Sequence, residues 1–128
     1  MSGGRIYDGF LPGRHPLDAY GNGGFRFADM SHRGSILALP SGIYAWSVTS
    51  SAEITIGSLA PALAEGDALD FLLIGTGRDV AAVSDTVRLG LREARIGLDV
   101  MQTGAAARTY NVLVGENRRV GAALIAVD

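Results

Sequence analysis

At 128 residues the chain is long enough to bury a sizeable core and short enough to form one domain, residues 1–128. Apolar residues make up 48% and aromatics 7%, which excludes a disordered chain as the default. A formal net charge of −2 without a basic run excludes the electrostatic footprint of a nucleic-acid binder, and no stretch approaches the roughly 18 apolar residues of a membrane span.

Residues 1–5 are expected to be disordered. From there to residue 50 the sequence reads as short strands punctuated by glycine, at 17–20, 24–27, 35–39 and 43–48. Pro40-Ser-Gly42 between the last two is a hairpin signal. Gly21-Asn-Gly-Gly24 is a turn that needs positive φ. It is not a dinucleotide fingerprint, because it runs into Phe25-Arg-Phe27 and Arg26 stands where a third glycine belongs. A short helix is expected over 59–65, around Pro61 and ended by Gly66.

The second half has a clearer period. Residues 69–74 form a mostly continuous apolar run, as in a strand covered on both faces. Ser84 then caps a helix with Asp85 at its first position, with Val87, Leu91 and Ala94 on one face and Ile96-Gly97 closing it. Residues 98–101 form the next strand, Thr103 is expected to cap a helix over 104–116, and the last strand is expected over 120–127. The alternation of strand and helix predicts a three-layer α/β domain, a mixed central sheet flanked by helices, with a β-rich N-terminal part.

Two of these strands are each followed by Thr-Gly, at Gly75-Thr76-Gly77 and at Thr103-Gly104. Parallel strands bring such loops to one carboxyl edge, where ligands of open α/β sheets bind. The helix after Thr103 has no carboxylate in its first turn, and its first charge is the cation Arg108. Free N–H groups beside a guanidinium suit an anion. Gly75, Thr76, Gly77, Thr103, Gly104 and Arg108, with Tyr110 and Asn111 as positioning groups, are therefore the candidate ligand site. A packing role is the alternative: Gly and Ala allow close helix–sheet approach, Arg108 pairs with Asp79 or Glu93, Tyr110 packs in the core and Asn111 bonds to backbone. At ~100° per residue, Ala106, Ala107, Tyr110, Leu113 and Val114 share one face of this helix. Its other side carries so little charge that either the N-terminal strands or a partner chain is expected to cover it.

Catalytic constellations are missing from the sequence. All eleven basic residues are Arg, so lysine-based Schiff bases and P-loops are excluded, and the absence of Cys excludes thiol nucleophiles, disulfides and thiolate metal sites. His15 and His32 lie in loop-like contexts without metal-ligand spacing, and Trp46 reads as core. Asp67 and Asp70 read as solvated turn residues. We expect no metal, no cofactor and, on balance, no enzyme. Without an apolar run of signal-peptide length at the N-terminus, a cytoplasmic bacterial location is expected, peripheral to the inner membrane only through a partner.

Several blocks carry a family resemblance: Tyr20-Gly-Asn-Gly-Gly-Phe-Arg26, Gly34-Ser-Ile-Leu37 with Leu39-Pro40 and Trp46, Gly75-Thr-Gly77, Thr103-Gly-Ala-Ala-Ala-Arg-Thr-Tyr-Asn111 and Arg119-Val120. Together they resemble the domain of the mitochondrial respiratory complex I assembly factor 3 family, shared with bacterial relatives and Mth-type proteins. The resemblance runs from about Tyr20 to Val127. It implies a three-layer α/β fold and, from the mitochondrial members, a non-enzymatic role in complex I assembly through protein partners. Family members often carry Cys where this chain has Ala107, so no thiol role transfers. The first residues do not read as a mitochondrial presequence, so that location is not expected to transfer either.

Overall fold

The computed structural model describes residues 6–128; the expectation for residues 1–5 lies outside them. A six-stranded mixed sheet has the order β1-β6-β5-β9-β7-β8, built from β1 (Phe10–Pro12), β5 (Ser35–Leu39), β6 (Gly42–Trp46), β7 (Phe71–Gly75), β8 (Gly97–Met101) and β9 (Val120–Leu124). β7 runs parallel to β8 and β9, whereas β1, β6, β5 and β9 alternate in direction. A separate meander comprises β2 (Ala19–Gly21), β3 (Gly24–Phe27) and β4 (Met30–Arg33).

Period-2 alternation sorts the central strands between two cores. Leu37, Leu39, Leu72, Ile74 and Ala123 point to one side, where they meet Ala62 of α1 (Ala60–Leu63) and Val87 and Leu91 of α2 (Asp85–Glu93). Ile36, Ala38, Leu73, Ala122 and Leu124 point to the other, where they meet α3 (Thr103–Gly115) and the inner face of the meander, Phe25, Phe27 and Met30. The result is the expected α/β domain of three layers.

Local chemistry sets the turns. Asn22 and Gly23 join β2 to β3 with φ of 53° and 80°, the two-residue Asn-Gly hairpin of type I′ sign. Pro40-Ser41 closes the β5–β6 hairpin between Leu39 and Gly42, as expected.

Several expectations need correction. β1 and β4 were not anticipated, since neither has the β-branched run that marks a strand. The strand expected from residue 69 begins at Phe71, because Leu69 closes the preceding 3-10 segment as its C-cap; Asp70 between them forms an exposed salt bridge with Arg119, 3.1 Å. The helix expected over 59–65 is one α turn, Ala60–Leu63, between short 3-10 segments. α2 ends at Glu93 with Ala94 exposed, and Arg95 takes φ 62° so that the Ile96 N–H reaches the Leu91 carbonyl, 2.9 Å. The last strand ends at Leu124 rather than at 127.

Candidate functional site

The carboxyl ends of the three parallel strands meet where expected, and the fold adds a reason for them to form a crevice. β7 leaves toward α2 on one face of the sheet, while its neighbour β8 leaves toward α3 on the other. Such divergence opens a ligand crevice in many α/β sheets. Here the chain's own groups stitch the edge together. The fully buried Thr103 hydroxyl donates to the Ile125 carbonyl, 2.7 Å, and accepts from the Gly77 N–H, 3.0 Å. The Thr103 N–H donates to the Gly77 carbonyl, 2.9 Å, and the Thr76 N–H to the Met101 carbonyl, 3.0 Å. The Thr76 hydroxyl donates to the Asp79 carbonyl, 2.9 Å, and accepts from the Ala81 N–H, 3.0 Å. Gly75 has no room for a side chain: a Cβ there would lie 2.8 Å from the Thr103 Cα.

Thr103 is thus not the cap that its position suggests. Gln102 is the N-cap, extended at ψ 156° and without a side-chain cap bond, and the helix begins at Thr103 rather than at Gly104. The hydroxyl has been diverted from its own helix to two distant strand ends.

Gly104 lies under Tyr20: a Cβ on it would come within 2.3 Å of the Tyr20 hydroxyl. Arg108 is exposed and donates through Nη1 to that hydroxyl, 3.4 Å. Among the described residues it forms no ion pair, so the pairing with Asp79 or Glu93 that the packing alternative offered does not occur. Arg108 lines a depression of about 280 Å3 with Tyr20, Ala107, Asn111 and Asp18. Gly75, Thr76 and Gly77 do not reach it. Of the eight candidate residues, Arg108 and Asn111 line the depression over α3, Thr76 and Gly77 line another of about 420 Å3 at the strand edge, and Gly75, Thr103, Gly104 and Tyr110 line neither.

Tyr110 and Asn111 hold the cover of the helix. Asn111 grips Leu17 on both sides, accepting from its N–H at 2.8 Å and donating to its carbonyl at 2.7 Å. The buried Tyr110 hydroxyl donates to the His15 carbonyl, 3.2 Å, and Arg14 donates to the Arg118 carbonyl, 2.6 Å. Residues 14–20 thereby form a strap over the Tyr110–Asn111 side of α3, while the opposite side, where Val112 and Gly115 are exposed, stays open among the described residues. Burial pushes the Tyr110 phenol from its ordinary 10.0 up to about 12, against a smaller lowering by Arg14. A folded-state pKa raised this way contributes stability that is complete below pH 10 and fades as the pH climbs toward 12.

The other singled-out residues have structural partners. Trp46 is buried and donates to the Ser58 carbonyl, 2.8 Å. His15 Nε2 lies 2.9 Å from the Pro12 carbonyl, and His32 packs edge-on to Tyr7 with its pKa lowered by burial. Tyr20 is the residue that sequence reasoning missed at the site. Nothing local marks it, because only the strap's return across α3 brings it there.

Comparison with known proteins places this geometry. Residues 17–125 match the family described as protein of unknown function DUF498/DUF598. An uncharacterised protein of Rhodobacter capsulatus is 37% identical over 113 residues, covering 88% of this chain and 86% of its own. The human NADH dehydrogenase (ubiquinone) 1 alpha subcomplex assembly factor 3 is 29% identical over 109 residues. That match covers 85% of this chain but 59% of the human protein, so the chain spans about three-fifths of the assembly factor's length. A Bartonella henselae structure described as an outer membrane protein superposes with a TM-score of 0.89 at 52% identity, covering 92% of this chain and 99% of that one. A Bordetella pertussis structure described as a Mth938-like domain gives 0.77 at 28%, covering 88% and 85%. No helix among the described residues is long and apolar enough to cross a membrane.

Proposed function

This chain belongs to the DUF498/DUF598 family, and from that premise we propose that it is a non-enzymatic assembly or interaction protein acting on subunits of a respiratory NADH dehydrogenase. The observation that carries the reading is the similarity to assembly factor 3, which extends over 85% of this chain. The hydroxyls at the strand ends support it, because both are bonded to backbone rather than to a base that would activate them. The partner binds the side of α3 that the strap leaves open, where Val112 is 59% exposed beside the Arg108 depression. The protein works in the bacterial cytoplasm and reaches the inner membrane through that partner.

Affinity capture with the intact chain tests this. NADH dehydrogenase subunits should be recovered, and Val112→Asp should lose them without loss of fold. Recovery of none, together with normal NADH dehydrogenase assembly in a deletion strain, would overturn the role. Fractionation that places the chain with the outer membrane, as the description of the Bartonella relative suggests for that protein, would overturn the location.

A second reading keeps the anion, now centred on Arg108. Its support is an exposed guanidinium without an ion pair among the described residues, in a depression close to the start of α3; Asp18 in the same lining counts against it. Phosphate or carboxylate titration should move the amide resonances of residues 104–108 saturably. Unmoved resonances would end this reading and leave the first intact.

A further inference from the structure

The block Tyr20-Gly-Asn-Gly-Gly-Phe-Arg26 builds a second feature, on the outer face of the meander. Alternation puts Phe25, Phe27 and Met30 inward, and the cross-strand pairs Ala19–Arg26–Ser31 and Gly21–Gly24–Arg33 form two rows on the opposite face. The first row sets Arg26 between Ala19 and Ser31. The second sets Arg33 beside two glycines, so nothing but backbone fills the space next to it. A depression of about 290 Å3 results, floored by Gly21 and Gly24 and walled by Arg26 and Arg33.

Three observations make this more than a solvated sheet face. Arg26 and Arg33 stand at diagonal cross-strand positions, where residues lie roughly 7–8 Å apart, a span that long side chains bridge. Both arginines are exposed, and neither side chain makes a hydrogen bond or ion pair among the described residues. The lining contains no Asp or Glu, while Asn22, Ser31 and Tyr20 add polar groups at the rim. Asp128, outside the lining, carries a carboxylate in the same neighbourhood as Arg33, beside Gly23. Arg33 Nη1 and Asp128 Oδ1 lie 3.6 Å and 4.0 Å from the position a Cβ would take on Gly23, and they do not form an ion pair.

We propose that the depression between Arg26 and Arg33 binds the phosphate group of a small phosphorylated molecule. A single carboxylate is satisfied by one guanidinium fork, whereas two forks without an internal acid match the charge and the several acceptor oxygens of a phosphate monoester. At Gly21 a Cβ would meet nothing within 4 Å, so those oxygens can approach the backbone there; Gly24 is instead required by the β4 backbone that packs against it. The volume is at the lower limit for ligand pockets, which restricts the occupant to a small molecule. This site shares Tyr20 with the Arg108 depression but none of its guanidiniums, and it does not depend on the assembly role.

Heteronuclear NMR on the intact chain at low ionic strength tests it, with inorganic phosphate and succinate as the two probes. Phosphate should shift the amides of Gly21, Gly24, Arg26 and Arg33 along saturable curves, with succinate weaker. Arg26→Gln and Arg33→Gln should each lower the phosphate affinity about tenfold, and Arg95→Gln should leave it unchanged. Both arginines are exposed, so the unchanged remainder of each spectrum will report that the variants fold. Non-saturating shifts, equal affinity for succinate, or saturation that survives the double variant would each overturn the assignment. Shifts confined to residues 104–108 would support the Arg108 reading instead and overturn this one.

Discussion

The first turns of α2 and α3 solve the same problem by different routes. Every helix start leaves backbone N–H groups without partners. α2 meets this from its own sequence: Ser84 accepts from the Val87 N–H, 3.3 Å, and Asp85 supplies negative charge against the dipole. α3 has neither a side-chain cap nor a first-turn acid. Its Thr103 is bonded instead to Gly77 and Ile125, 26 and 22 residues away, and its first turn lies beneath Tyr20. One helix start is thus a local device and the other a tertiary joint. The bare first turn of α3 reflects where its hydrogen bonds have gone as much as what it has left to offer a ligand.

The joint is most sensitive at Thr103. Thr103→Val keeps the shape and removes the hydroxyl, leaving a buried N–H at Gly77 and a buried carbonyl at Ile125 without partners. Urea denaturation should register a loss of about 3 kcal/mol, against about 1 kcal/mol for Thr103→Ser, which keeps the hydroxyl and loses a methyl group. Equal losses would mean that the hydroxyl joins nothing. Asn111→Ala should follow at about 2 kcal/mol, because both bonds to Leu17 go at once. Hydrogen exchange at the Leu17 amide should accelerate while the α2 amides keep their protection.

Ser84→Ala should cost less, about 1 kcal/mol, with faster exchange confined to the first turn of α2. The size order of these losses follows what was legible in the sequence. Ser84, Asp85, Val87 and Leu91 announced α2 because cap, dipole and period all lie within one short stretch. The layering followed from the apolar run of β7 and the alternation of strand and helix. By contrast, the roles of Thr103 and Asn111 depend on residues brought near only by the completed fold: the type of Thr103 suggested a cap, and that of Asn111 either a ligand contact or the backbone bonding that it makes, without saying that the backbone is Leu17's. The end of α2 was hidden for a similar reason. Arg95 adopts a left-handed conformation that glycine usually marks, held by the bond from Ile96 to Leu91. β4 was hidden because Met30-Ser-His-Arg33 becomes a strand through pairing with β3 rather than through its own propensity.

The smallest predicted effect has the opposite sign. Gln102 occupies the N-cap of α3 with extended backbone and makes no capping bond, while its exposed position leaves room for substitution. Gln102→Asp should therefore stabilise the protein by roughly 0.5–1 kcal/mol, since a short carboxylate can accept from the first-turn amides and offset the dipole that Asp85 offsets in α2. Thermal or urea unfolding measures the gain. The variant also bears on Arg108: a carboxylate fixed at the helix start would compete with any anion held there, so phosphate-induced shifts at residues 104–108 should shrink while those at Gly21 and Gly24 persist. A variant that gains no stability would show that Tyr20 and the strand edge already satisfy the first turn, and α3 would then have no electrostatic vacancy for a ligand to fill.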